Sequence, residues 1–349
     1  MFAAAVSAVD VLRSTDPELA DMITIVTPQS TTPSFSDLRL GREVIGAITQ
    51  RNSASLWPYK LVTWILERLL SRSYTKTAPA SKSKFSFNLQ TNTPVTRLQQ
   101  LEDGTWVVHT SRGMLAARQV LLATNAYTSY LLPEFSDIIV PVKGEMSALI
   151  PPKALCPGGG GALVGRNSYG FYGRGGGNFN QDDYLVQRPF SAASATDNCG
   201  GELLFGGGRE YATGLGVGIS DDSDIDQLVA NYLRQALNNF LDIQNNGTDL
   251  RASHEWSGIM GFSRDGRPWV GEVPKELGGG KGLWMCAGFT GHGMPNASLC
   301  AKAVVNEMMG QQLHDKDLPK EFHVSLERIE MARTFVEVSL ADILEDEVQ

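Results

Sequence analysis

The feature that most constrains this chain lies near its end. A short apolar run, Gly282-Leu-Trp-Met-Cys-Ala287, leads into Gly288-Phe-Thr-Gly291-His292-Gly293-Met294-Pro295-Asn296. Residues Ala297 to Met309 follow, with Leu299, Cys300, Val304 and Met308 at helical spacing and expected to face inward. The pattern is strand, glycine turn, helix. Such a turn points unpaired backbone N–H groups at whatever lies above it, and the helix dipole favours electron-rich or anionic groups there. The spacing Gly291-x-Gly293-x-x-Asn296 stops one residue short of the dinucleotide fingerprint G-x-G-x-x-G. About 40 residues follow the helix, too few for a full dinucleotide-binding βαβ pair after it. On spacing alone the glycines also fit a structural role, allowing close packing of helix on strand.

The other glycine clusters offer no better fingerprint. Polyglycine at 158–161 and 175–177, Gly206-Gly207-Gly208, and Gly214-x-Gly216-x-Gly218 do not follow a strand and open a helix, and no glycine precedes Gly41. At 349 residues the chain suits one large domain or two ordinary ones. With 42% hydrophobic and 19% charged residues it is not disordered as a whole. Thirty Lys and Arg against 38 Asp and Glu give net −8 without a basic run, which argues against nucleic acid as a partner. Cys156, Cys199, Cys286 and Cys300 form no C-x-x-C pair, so neither a zinc site nor a disulfide framework is expected, and no metal ligand is assigned. The run Met1 to Leu12 lacks a positive n-region and is broken by Asp10, and no stretch approaches about 20 apolar residues. The expectation is a soluble, cytoplasmic protein that does not use the membrane. No Ser sits in a G-x-S-x-G elbow and the histidines are scattered, which sets hydrolysis aside.

Along the chain, Trp57, Leu61, Trp64, Ile65 and Leu69 predict a core-facing helix over 57–70 with Pro58 in its first turn, and residues 75–84 read as a loop. Val95, Trp106 to His109 and Val120 to Leu122 are β-type runs separated by Asp103-Gly104 and Arg112-Gly113, and predict a meander of three strands. Residues 138–150 suggest a strand pair. The run 157–178 is glycine-rich enough to interrupt regular structure, and Tyr184–Arg188 and Glu202–Phe205 read as two further strands. Ile225, Leu228, Val229, Tyr232, Leu233, Leu237, Phe240 and Leu241 predict a helix from about Asp222 to Leu241, with Asp221, Asp222 and Asp224 at its positive end. An amphipathic stretch near 335–344 suggests a terminal helix or a frayed end.

Several motifs recur in a familiar order. Trp256-Ser-Gly258, Ser263-Arg-Asp265-Gly-Arg-Pro268-Trp-Val-Gly271, Gly282-Leu-Trp and Gly288-Phe-Thr-Gly291-His-Gly293-Met resemble the C-terminal part of the FAD-dependent amine and amino-acid oxidase family, which includes sarcosine oxidase, glycine oxidase and D-amino-acid dehydrogenase. Pro94-Val95, Val120-Leu-Leu-Ala-Thr124-Asn-Ala126-Tyr, Val140-Pro-Val-Lys-Gly-Glu-Met146 and Tyr184-Leu-Val-Gln-Arg-Pro189 resemble its middle, and residues 45–70 resemble the substrate-domain helix of fungal-type members. The resemblance covers roughly 43–312. It implies an α+β, α/β-derived fold, in which an incomplete FAD-binding Rossmann-like domain is interleaved with a mostly antiparallel-sheet substrate domain. The implied segments are an N-terminal part with the substrate-domain helix (1–90), FAD-domain strands (91–130), a substrate-binding sheet (131–255), a C-terminal FAD segment (256–312) and a tail (313–349).

The resemblance also implies FAD as cofactor and a small molecule as substrate. Backbone at Val95 and at Thr124, Asn125 and Ala126 would lie near the adenosine and ribose, with Gly258, Gly291, His292, Gly293 and Met294 against the isoalloxazine ring. A reduced flavin carries negative charge at its N1/C2 edge, which a helix N-terminus stabilises. The family's first βαβ unit has no counterpart by this reading, and losing its pyrophosphate contacts removes charged hydrogen bonds worth about 1.5–3 kcal/mol each. Pro295 stands where sarcosine-oxidase relatives carry a lysine for the substrate carboxylate, which argues against a simple amino-acid substrate. No cysteine lies at Gly258, near which some relatives attach flavin covalently.

The catalytic candidates are His292, Arg209 and Glu210. His292 suits a hydrogen bond to flavin or substrate, or is merely tolerated between two glycines. Arg209 and Glu210 suit a substrate cavity, or a surface pair worth under about 1 kcal/mol. Tyr184 and Arg188 share one strand face, with Tyr184 the more core-like. Trp57 and Trp256 read as core, and Asp265 as structural. Two functions remain open: an oxidoreductase passing hydride from a C–N or C–O carbon to flavin, and a cofactor-free cyclase, isomerase or ligand-binding protein of a small-molecule (secondary-metabolite) pathway built on the same fold.

Overall fold

The structure is a computed structural model that describes residues 2–74, 86–156, 163, 167–173, 181–190, 200–311 and 317–335. Its elements, in chain order, are α1 (Phe2–Thr15), α2 (Pro17–Ala20), β1 (Ile23–Val26), β2 (Ala47–Gln50), α3 (Pro58–Tyr74), β3 (Val95–Gln100), β4 (Trp106–Thr110), β5 (Gly113–Ala117), β6 (Val120–Leu122), α4 (Thr128–Leu131), β7 (Ile139–Leu149), β8 (Tyr169–Gly173), β9 (Gln181–Gln187), β10 (Leu203–Gly207), α5 (Gln227–Phe240), β11 (Ala252–Ser263), β12 (Trp269–Glu272), β13 (Leu283–Ala287), α6 (Gly293–Met308) and α7 (Leu326–Thr334). The chain divides into two compact units. One comprises Met1–Asn92, Glu145–Ala212 and Ile225–Trp256, and the other Thr93–Gly144, Thr213–Asp224 and Ser257–Gln349. Both β7 and β11 continue from one unit into the other.

In the first unit, β10 pairs antiparallel with β7 on one side and β9 on the other, and β9 pairs antiparallel with β8. Inward residues Leu149, Leu185, Leu203 and Phe205 are fully buried. Against them packs α5, whose stripe Val229, Ala230, Leu233, Ala236 and Leu237 holds the spacing of one helical face. The helix starts later than the apolar pattern suggests. Asp226 is its cap, the side chain accepting the Leu228 N–H at 2.9 Å, while Asp221, Asp222 and Asp224 precede it. Leu228 therefore faces solvent, at 63% exposure.

In the second unit, β3, β4 and β5 form the meander, turning at Asp103-Gly104 and Arg112-Gly113, where both glycines have positive φ. Its third strand is Gly113–Ala117. The Val120–Leu122 run expected in that place leaves the meander and pairs parallel with β13, Leu283 opposite Val120 and Met285 opposite Leu122. The largely exposed Gly-Met-Leu-Ala-Ala run of β5 gives no polar-apolar alternation to advertise it, whereas β6 is Val-Leu-Leu and suits a more enclosed sheet. On its other side β13 pairs antiparallel with β12.

Several other expectations need correction. Residues 139–149 form one strand rather than a pair: Pro141 does not break it, and its carbonyl accepts the Gly218 N–H at 2.8 Å. The expected helix α3 forms, but Trp57, Leu61, Trp64 and Ile65 are exposed by 42% or more, so it is not core-facing here. Helical spacing defines a stripe but does not supply what would cover it. Tyr184 and Trp256 are also exposed rather than core, and Leu299 on α6 faces out while Cys300, Ala303 and Val304 face in. A strand, β8, forms inside the glycine-rich run. The stretch beyond Phe335 lies outside the described residues, and α7 precedes it. Helices beside a largest sheet whose assigned pairs are antiparallel match the expected α+β class. Among the described residues, no helix is long and apolar enough to cross a membrane.

One buried ion pair fixes the turn between β11 and β12. Arg328 of α7 donates from Nε to Asp265 Oδ2 at 2.8 Å and from Nη2 to Oδ1 at 3.0 Å, and its guanidinium carbon stands 3.6 Å from the Trp269 ring centre. Burial pushes the Asp265 carboxyl up, but the Arg328 and Ser263 hydrogen bonds and the Arg328 charge outweigh it and hold the group below the usual aspartate range. Removing one partner leaves a buried charge, so Asp265→Ala is expected to lower stability by about 3–5 kcal/mol in urea unfolding followed by circular dichroism. The carboxylate's contribution is full above the unfolded aspartate value of about 3.9 and fades as pH falls through the lower folded value, so wild type should lose more stability than the variant across that window.

Candidate functional site

Because β6 and β13 run parallel, the segments leaving their C-terminal ends emerge at the same edge of the sheet. Thr124, Asn125 and Ala126 follow β6, and the turn 288–292 follows β13 and opens α6. The two meet through the Asn125 side chain, whose Oδ1 accepts the N–H of Gly288 at 3.0 Å and of Phe289 at 3.3 Å. From the other side Thr290 donates its N–H to the Gly261 carbonyl at 2.8 Å, and its hydroxyl accepts the Ser263 N–H at 2.9 Å. The Thr124 and Thr128 hydroxyls share a 2.8 Å hydrogen bond at the start of the corner.

The turn's amides are thus sorted. Those of Gly288, Phe289 and Thr290 bond inward, and that of His292 bonds the Phe289 carbonyl at 2.8 Å. Gly293 and Met294 occupy the first turn of α6, where N–H groups have no intrahelical acceptor, and Pro295 has none to offer. A Cβ placed on Gly291, or on Gly258 further up β11, meets no described atom within 4 Å. The rim is open rather than enclosed: Gly291 and His292 are exposed and Met294 is 64% exposed. His292 Nδ1 stands 2.7 Å from the Thr290 carbonyl, an acceptor that requires a proton on Nδ1.

Of the residues expected from sequence, the structure brings Thr124, Asn125 and Ala126 to the turn that carries Gly291, His292, Gly293 and Met294. Gly258 lies three residues before Gly261 on the same strand, about 10 Å along it. Ala126 is buried, at 3% exposure. Val95 begins the meander, paired with Thr110. Arg209 and Glu210 belong to the other unit. Arg209 binds Asp182 at 2.5 Å, and Glu210 Oε2 is buried without a hydrogen-bond partner among the described residues. Burial, and secondarily the Asp183 charge, raise the Glu210 carboxyl above its ordinary value.

Sequence reasoning missed Gly261, Ser263 and Thr290. A glycine inside a strand marks close backbone approach, and at Gly261 a Cβ would stand 2.7 Å from Asn125 Oδ1 and 2.8 Å from the Ala126 nitrogen. A cleft of about 460 Å³ also opens in this unit, lined by residues including Glu272, Trp284, Glu307 and His323, and it contains none of the candidate residues.

Three kinds of comparison bear on the family and the fold. The profile of the family described as DAO, FAD dependent oxidoreductase, matches residues 19–307. A Rhizobium meliloti protein named "Probable oxidoreductase OrdL" is 24% identical over 240 residues, which are 68% of this chain and 46% of that protein. The chain thus spans about half the length of this curated relative. Glycine oxidase from Bacillus cereus superposes with a TM-score of 0.59 at 16% identity, covering 89% of this chain and 70% of that one. Iminodiacetate oxidase from Chelativorans gives 0.57 at 15% over 90% and 70%, and L-proline dehydrogenase from P. horikoshii 0.52 at 19% over 83% and 65%. At these identities the likeness is one of fold.

The open amides of the turn fit the electron-rich edge of a flavin ring. Among the described residues, no other glycine turn leads directly from a strand into an α-helix; Gly207-Gly208 leads from β10 only into a single 3-10 turn, Arg209–Tyr211. With a family profile matched over most of its length, the chain belongs to the FAD-dependent oxidoreductase family.

Proposed function

We propose that the chain binds FAD with the edge of its ring against the turn 291–294 and oxidises a C–N or C–O bond of a small molecule. The observation that carries this reading is the trio of N–H groups at Gly291, Gly293 and Met294, which have no backbone acceptor among the described residues at an exposed turn, while those of Gly288, Phe289 and Thr290 bond inward. The relatives named for glycine, L-proline and iminodiacetate suggest a small amine as substrate. Pro295, in place of a lysine, argues against recognition through a substrate carboxylate.

FAD, when bound, supplies a hydride acceptor. The chain's own residues bind, orient and move protons. The amides of Gly293 and Met294, at the positive end of a 16-residue helix, hold negative charge at the ring edge. In the neutral ring Nε2 of His292 would accept a proton from the substrate amine, with Nδ1–H held by the Thr290 carbonyl. Gly258 leaves room where any side chain would intrude. Backbone at Val95, Thr124, Asn125 and Ala126 receives the adenosine and ribose, so segments 91–130 and 256–312 carry the cofactor. Segment 131–255 carries the substrate, with Arg209 and Glu210 orienting it.

The first test is reconstitution. The full chain titrated with FAD and passed through gel filtration should keep the visible bands of bound flavin, and these should bleach when glycine, L-proline, iminodiacetate or a neutral amine is added without oxygen. A colourless protein after reconstitution sinks the reading. Gly258→Val should change stability by no more than about 0.5 kcal/mol, because its site is open, yet weaken FAD at least tenfold in the same titration. His292→Ala should lower the rate of bleaching by about 10²-fold with the FAD dissociation constant unchanged.

A further inference from the structure

We infer that Asn125 is a positioning residue for the cofactor: its side chain latches the glycine turn and thereby decides which amides of the turn face outward. The inference rests on the flavin reading above and deepens it, because it moves Asn125 from a backbone contact to an orienting role exerted through its amide oxygen.

Four observations converge on it. Asn125 has φ +43, in the left-handed region that asparagine tolerates better than other residues with side chains, and this turns the chain sharply after β6. That corner aims Oδ1 at two consecutive N–H groups 163 and 164 residues away in sequence. Gly261 makes the approach possible, since any side chain there would collide with Asn125 Oδ1 and the Ala126 backbone. Thr290, itself at φ +49, fastens the far side of the turn to Gly261 and Ser263. The turn is therefore held on one side by the corner after β6 and on the other by β11, which fixes the amides of Gly288, Phe289 and Thr290 inward. Without the latch, two donors lose a fixed acceptor and the turn can relax toward other directions.

The test uses the full chain reconstituted with FAD and two main variants. Asn125→Gly keeps the left-handed backbone and removes the acceptor, whereas Asn125→Asp keeps an acceptor oxygen at the same reach. Three readouts are taken: hydrogen exchange of the amides at 288–290, the FAD dissociation constant, and the reduction potential of the bound flavin. The expected result for Asn125→Gly is exchange at least tenfold faster, FAD about tenfold weaker, and a more negative potential. Asn125→Asp should restore both protection and affinity to within about threefold of wild type. Asn125→Ser, with a shorter oxygen acceptor, should fall between, and it replaces the glycine variant if that variant does not fold. Unchanged exchange in Asn125→Gly overturns the latch. Faster exchange with affinity and potential at wild-type values shows a merely structural role and overturns the inference while the flavin reading stands. A wild-type chain that takes up no FAD overturns the flavin reading, and the inference falls with it.

Discussion

The parallel pairing of Val120–Leu122 with Leu283–Met285 is the constraint on which the candidate site depends. Two strands that run the same way release their following segments at one edge of the sheet, so the corner at Thr124–Ala126 and the glycine turn at 288–292 are neighbours by necessity. An antiparallel pairing would send them to opposite edges. Everything else at the site refines this placement: the Asn125 oxygen joins the two segments, Gly261 admits the close approach, and Thr290 closes the far side. A pairing between such distant parts of the chain also carries a large loop-closure cost, so local propensity alone cannot bring it about.

Polar groups buried in the second unit follow a common logic. Asp265 is satisfied by Ser263, by the Arg267 N–H and by Arg328, and Arg328 in turn serves the carbonyls of Arg267 and Pro268 while lying over Trp269. Trp269 gives its indole N–H to Ser263. The network holds the β11–β12 turn next to the strand that bears Gly261 and Ser263, so a structural ion pair and the glycine turn share one support. A buried charge pair of this kind gains less in net stability than it does in fixing one geometry.

Much of the fold was legible in residues alone. The strand, glycine turn and helix over 282–309, the amphipathic helix ending near Leu241, and the strands around Tyr184–Arg188 and Glu202–Phe205 all follow from periodicity and glycine placement. What was not legible is partnership. The run Val120–Leu122 looks like any third strand of a meander, because period-two patterning says nothing about which strand lies alongside. The stripe on α3 looks core-facing because spacing cannot reveal whether a neighbour exists. Asn125 was visible only as part of a recurring motif; that it works through its side chain, from a left-handed backbone, needed coordinates. The start of α5 was read too early for a simpler reason: four aspartates crowd positions 221–226, and only geometry shows that Asp226 caps the helix.

The distribution of indoles between the two units has a consequence for anyone watching this protein unfold by intrinsic fluorescence. Trp57, Trp64 and Trp256 belong to the first unit and are already 41% or more exposed in the native state, so their emission starts near that of indole in water and has little room to shift. Trp106 and Trp269 belong to the second unit and are 2% and 0% exposed, the latter beneath a guanidinium. The red shift on denaturation therefore reports the loss of the second unit's core, and a melt of the first unit passes almost unseen unless a second spectroscopic signal is recorded beside it.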